Sequence, residues 1–193
     1  LEGAYFDECV VTVLNDPNAC QMALVTGEVD AVTQIELKTL SLLQRDPNIE
    51  IDNVPSAAAI TMPMFCDVAP FDDVNVRNAL KHSINRQEIM EKITFGTSTI
   101  GNDFHHSPAM PYWPEGLEQN DYDPDKAKSL LKKAGAEGLS TEISVADSVF
   151  SGSVDACVLF SEQAKASART SRSSPTWTTT GSRRCSASQS PST

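Results

Sequence analysis

Few side chains in this sequence could do chemistry, and their spacing does not favour it. His105-His106 is the one candidate metal pair. Adjacent residues on an extended chain point to opposite faces, so the two rings do not converge on one ion. No carboxylate or cysteine stands at a fixed ligand spacing from them either. They are read as loop histidines that hold no metal. Asp72-Asp73 resembles a pair of carboxylates for general acid–base work. Both precede a helical apolar stripe, where an aspartate accepts a backbone N–H at the helix start, so capping accounts for them. The five cysteines, Cys9, Cys20, Cys66, Cys157 and Cys185, contain no C-x-x-C pair, and their odd number does not complete a disulfide framework. They are expected to be buried thiols acting as small hydrophobes. No G-x-S-x-G, H-E-x-x-H or phosphate-loop pattern occurs, and Ser98, Ser107 and Ser148 lack a recognisable base. A hydrolase needs a nucleophile and a base within hydrogen-bond reach. The expectation is therefore no catalysis, no cofactor and no metal.

Charge narrows the partners. The net charge of −11 repels phosphate backbones and anionic lipid, so nucleic acid is not an expected partner. Hydrophobic residues make up 40% of the 193, a globular proportion, and no apolar run approaches the ~20 residues of a membrane span. Leu1 is not a start residue, which fits an N-terminus already trimmed.

The elements that would position these residues follow from periodicity. Val10, Thr12 and Leu14 alternate with Val11 and Val13, a run apolar on both faces that suits a buried strand. Asp16 caps a helix with Pro17 in its first turn, and Gly27 stops it. Val29 to Gln34 reads as a strand. Leu37, Leu40 and Leu43 make a helix that ends before Asp46-Pro47, and Ile49 and Ile51 alternate as a strand. The extended stretch from Val54 to Cys66, with Pro55 and Pro63 inside it, belongs at a sheet edge or in a crossing segment. The first third is thus β-α-β-α-β, which argues for an α/β layer.

At the centre stands PFDDVNVRNALKHSINRQEIMEKITFG. Val76, Leu80 and Ile84 recur at helical spacing, and Asn85 with Glu88 three residues on is an Asn-led relative of the capping box. Two short helices end to end are expected, the second closing at Gly96. A long loop follows from Thr97 to Asp121; loops of that length inside a compact domain are usually functional or disordered. Asp123-Pro124 then starts a helix that carries Ala127, Leu130, Leu131 and Ala134 to Gly135. Thr141, Ile143 and Val145 alternate as a strand, and Val154, Cys157, Val158 and Ala164 form a last helix.

Three collinear strings carry a resemblance. They are NDPNACQMALVTGEVDAV, PFDDVNVRNALKHSINRQEI and YDPDKAKSLLKKAG. Together they resemble the family-5 extracellular solute-binding proteins, the peptide and nickel binding subunits of ABC importers, over about Ala4 to Ser167. The resemblance implies an α/β chain, a fragment of a two-lobe, type II periplasmic-binding-protein-like fold. Residues 1–62 would be a remnant of lobe I ending in the lobe crossing, and residues 63–167 part of lobe II. Ligand would sit between the lobes. Thr61, Met62, Met64 and Phe65 on the crossing are the expected contacts, with Phe104 and His105 in the following loop. Met and Phe offer adaptable apolar surface and Thr61 a hydrogen bond. Phe65 stands where many relatives carry Asn, which removes a polar contact there.

The implied function is the substrate-binding component of an ABC importer. It would capture peptides or a similar small solute and deliver them to membrane permease subunits. It would work in the periplasm or outside the cell, associated with the membrane through the transporter. The alternative is a cytoplasmic transcriptional regulator with a sensor domain of this kind. Most of the family's first lobe, and everything after the last helix, have no counterpart here, so a middle fragment is expected.

From Ala168 the composition changes. Residues 168–193 hold four arginines and no acid, whereas all 26 acids come earlier. Such a segment offers little apolar surface and reads as a disordered tail. A shift of reading frame is the sharper account. Plausible codons for ARTSRSSPTWTTTG, read one base earlier, give GTDIKIIPNLDDDG, which alternates like a strand and restores the acidic balance.

Overall fold

The computed structural model describes residues 5–54, 59–101, 103–104, 110–114, 116–146 and 149–173. Contacts divide the chain into two compact units, residues 1–51 and 52–193.

In the first unit, helix α1 (Pro17–Val25) starts where Asp16 accepts the Ala19 N–H at 2.9 Å, with Pro17 in the first turn. A 3-10 turn (Leu37–Thr39) runs into the short helix α2 (Leu40–Leu43), whose Leu40 and Leu43 are buried. The Thr39 hydroxyl donates to Gln21 Oε1 at 2.6 Å and ties this turn to α1. The expected β-α-β-α-β order is corrected here. The described residues of this unit contain no strand, and Val10–Leu14, Val29–Gln34 and Ile49–Ile51 are irregular. A strand exists through its ladder partners, and a run apolar on both faces also needs cover on both faces. Val10, Val11 and Val13 are instead 77–82% exposed.

The second unit is built on a helix pair and a βαβ crossover. Helix α3 (Val74–His82) begins at Asp73, which accepts the Asn75 N–H at 2.6 Å, so the second aspartate of the pair is the cap. Helix α4 (Arg86–Lys92) begins at Asn85, which accepts the Glu88 N–H at 3.1 Å. Helix α5 (Pro124–Lys133) begins at Asp123, which accepts the Lys126 N–H at 2.9 Å. It ends before Gly135, whose φ of +67° suits a residue with no Cβ. Helices α3 and α5 pack on each other. Phe71, Val76 and Ala79 meet Ala127, Leu131, Leu139 and Ala168 in one core cluster.

Strand β1 (Ser140–Ser144), helix α6 (Ser153–Ala164) and strand β2 (Arg169–Ser173) follow, the two strands pairing in parallel from Ser140 opposite Arg169 to Ser144 opposite Ser173. A parallel pair requires a crossover of this length, and α6 supplies it. Two expectations change. The tail does not begin at Ala168, which is buried in the core, and residues 169–173 are a strand; residues 174–193 lie outside the described residues. The extended stretch 54–66 carries no strand among its described residues.

The cysteine expectation also changes. Cys157 is buried on α6, but Cys9 and Cys66 are exposed and Cys20 is half-buried. Cys185 lies outside the described residues.

Candidate functional site

The six residues expected at the ligand fall in two stretches of the second unit. Thr61 and Phe65 are exposed, and Met62 lies at 37%. Met64 turns the other way and packs on the core cluster, so it anchors the stretch and leaves its neighbours at the surface. Met64 is the one residue from 59 to 69 that is not exposed. Phe104 is half-buried, and its ring meets Trp113 edge to face, with centroids 5.9 Å apart and planes at 76°. Such a geometry sets the positive edge of one ring against the negative face of the other. His105 lies outside the described residues, as does His106. The two stretches are joined near their roots, where Asn53 Nδ2 donates to the Thr97 carbonyl at 3.3 Å.

The long loop is held by a polar hub that sequence reasoning does not reach. Arg86, the first residue of α4, donates from Nη1 to the carbonyls of Asn120 at 2.7 Å and Lys81 at 3.1 Å. Its Nη2 pairs with the Asp103 carboxylate. The other Asp103 oxygen accepts from Asn120 Nδ2 at 2.8 Å. Beside it His82, buried at the end of α3, donates from Nδ1 to the Asp121 carbonyl at 2.8 Å, and the Asp123 N–H returns to the His82 carbonyl at 2.9 Å. These bonds join the end of α3 to the start of α5. They also fix both approaches to the loop. Asp103 (φ +56°) and Tyr112 (φ +67°) are held in the left-handed region, and the Tyr112 side chain is 96% exposed. Arg86 and Asp103 are 17 positions apart, and no helical or strand periodicity links them.

A second polar link joins α4 to α6. Gln163 Oε1 accepts the Asn85 N–H at 2.9 Å, and its Nε2 donates to Glu88 Oε2 at 2.8 Å. Lys92 donates to Glu88 Oε1 at 2.6 Å. The hydrogen bond from Lys92, and after it that from Gln163, hold the Glu88 carboxyl below its ordinary range, while burial pulls weakly the other way. Among the described residues no three of His, Cys, Asp and Glu gather in a way that would hold a metal, and no helix is long and apolar enough to cross a membrane.

With this geometry in view, the likeness to known proteins is specific. The model of the bacterial extracellular solute-binding proteins, family 5 (Middle), matches residues 2–168. A probable peptide ABC transporter periplasmic-binding protein of Sinorhizobium fredii is 30% identical over 147 residues, 69% of this chain and 27% of its own length. The nickel-binding periplasmic protein of Escherichia coli is 29% identical over 127 residues, 64% of this chain and 24% of its own length. Among solved structures, the ABC transporter-associated periplasmic binding protein DppA from Helicobacter pylori, in complex with the peptide STSA, matches with a TM-score of 0.71 at 25% identity. The match covers 85% of this chain and 32% of that one. NikA from Brucella suis, in complex with Fe(III)-EDTA, matches with a TM-score of 0.66 at 19% identity, over 86% of this chain and 36% of that one, and speaks for the fold alone. The fold is part of a type II periplasmic-binding-protein fold. The chain spans about a quarter of the length of the curated relatives it matches. These relatives are binding proteins and not enzymes, and they lend no support to the regulator alternative.

Proposed function

Because the chain belongs to the bacterial extracellular solute-binding proteins of family 5, we propose that it forms part of the substrate-binding component of an ABC importer that captures peptides. The main support is the likeness to the peptide-bound Helicobacter pylori protein, which extends over most of this chain. Capture works by closure of two lobes on the solute and release to a membrane permease, with no bond made or broken. Residues 1–62 belong to the first lobe and 63–167 to the second. The protein works in the periplasm or at the outer face of the cell.

Thr61, Met62 and Phe65 meet the solute from the crossing, with Met64 as their anchor, and Phe104 and His105 meet it from the loop. Two exposed apolar side chains, Met62 and Phe65, suit a ligand with varied apolar groups. The test uses the Helicobacter pylori protein with residues 59–168 of this chain in place of its own counterpart. In that exchange, Phe65→Ala or Phe104→Ala should weaken binding of the STSA peptide about tenfold, about 1.4 kcal/mol. Unchanged affinity in both variants would remove these residues from the site.

A further inference from the structure

We propose that Arg86 is a positioning residue for the Phe104–Trp113 pair. It fixes where the aromatic surface of the 97–121 loop stands and acts on the solute only through that surface. The part that concerns solute rests on the function proposed above; the positioning rests on geometry alone.

The guanidinium gathers three separate stretches of chain. Its Nη1 donates to the Lys81 carbonyl at 3.1 Å, at the end of α3, and to the Asn120 carbonyl at 2.7 Å, on the approach to α5. Its Nη2 holds Asp103, whose second oxygen takes the Asn120 amide at 2.8 Å. The Arg86 and Asp103 side chains are only 15% and 19% exposed, so water screens this pair less than it screens a surface ion pair. Asp103 keeps a left-handed φ of +56°, a conformation that costs free energy for a residue with a Cβ and persists when its surroundings impose it. The next residue is Phe104. Its N–H closes a turn on the Gly101 carbonyl at 3.1 Å, and its ring meets Trp113. Trp113 lies between the two clamped points, residues 103 and 120. Releasing Arg86 therefore frees the backbone that aims both rings.

Arginine is required because one planar group serves the Lys81 and Asn120 carbonyls, a longer contact to the Ile84 carbonyl at 3.5 Å, and a carboxylate at once. A lysine ammonium is a point charge with no such fork, so it can keep Asp103 but not the whole arrangement.

The test reads the near-ultraviolet circular dichroism of Trp113 in the full chain, with the second tryptophan removed by Trp177→Phe. An edge-to-face pair in one fixed geometry gives an induced signal that a mobile indole loses. Arg86→Met and Asp103→Asn should each reduce the Trp113 band by about half or more while the far-ultraviolet helix signal stays. Arg86→Lys should fall between them and the parent. Gln163→Ala is the control, since it frees the Asn85 N–H at the same helix start without touching the loop. It should lower stability and leave the band intact. An unchanged band in folded Asp103→Asn, or an equal loss in Gln163→Ala, would overturn the assignment, and Asp103→Asn decides the matter if Arg86→Met does not fold. The band is read without solute, so a failure to bind peptide would sink the proposed function and leave this positioning role standing.

Discussion

Asp123 accepts the Lys126 N–H at 2.9 Å and so satisfies one of the open donors at the start of α5. Replacing it with alanine should cost about 0.5–2 kcal/mol in urea melts, and no measurable change would mean that the cap is dispensable. Glu88 offers a pH test. Its carboxyl titrates below its ordinary value of 4.5, chiefly through Lys92 and then Gln163. A group whose pKa is lower in the folded state stabilises in full above its unfolded pKa and loses that contribution as pH falls through the folded one. Wild type and Glu88→Gln should therefore differ in melting temperature at neutral pH and converge as pH is stepped from about 6 to about 2. A constant gap across that range would contradict the link. At this scale the caps Asp16, Asp73, Asn85 and Asp123 are legible in the sequence, because each bond spans two or three residues. The partner of the Asn85 N–H is not. The capping-box spacing points to Glu88, but Gln163, 78 positions away, is the acceptor, and Glu88 bonds Gln163 and Lys92 instead.

Helices α3 and α5 are legible for the same reason, since period, cap and stop all lie within a dozen residues, whereas α6 starts at Gly152 without a side-chain cap and shows only its apolar residues. Strands are legible only in part, because their partners lie far off: the alternation of Thr141 and Ile143 marks β1, and the others fail. Val10–Leu14 has the pattern of a buried strand and no ladder partner among the described residues, whereas β2 has the composition of a tail and pairs with β1. Parallel strands covered on both faces are normally apolar, and RTSRS is not. The reading-frame alternative places an Ile-rich strand at this position. A chain with GTDIKIIPNLDDDG in place of residues 168–181 should thus be more stable, by about 1.5–3 kcal/mol for each isoleucine it buries. A lower or equal urea midpoint would count against that alternative. Gly152 tests the start of α6. Its φ is +90°, and a Cβ there would stand 2.8 Å from Ile93 Cγ2. Gly152→Ala should cost about 1–3 kcal/mol in thermal or urea unfolding, and a neutral result would mean that the α4–α6 corner is looser than its contacts imply.

For the whole molecule, the family could be read from three short strings, because they sit on locally determined helices. The surfaces proposed for the solute differ in how far the sequence shows them. Thr61, Met62 and Phe65 are exposed on a stretch that its prolines mark as extended, while Trp113, Arg86, Asp103 and Asn120 belong to contacts across a loop with no periodicity to follow. Solute pockets usually cover ~70–90% of their ligand, which needs a wall on each side. We propose that this chain supplies one part of such a peptide-binding wall. Titration calorimetry with the STSA peptide tests it most directly, on the Helicobacter pylori protein carrying residues 59–168 of this chain and, in parallel, on the 193-residue chain alone. The exchanged protein should give saturable heat and the chain alone none. A folded exchange with no saturable heat, or micromolar binding by the chain alone, would contradict it.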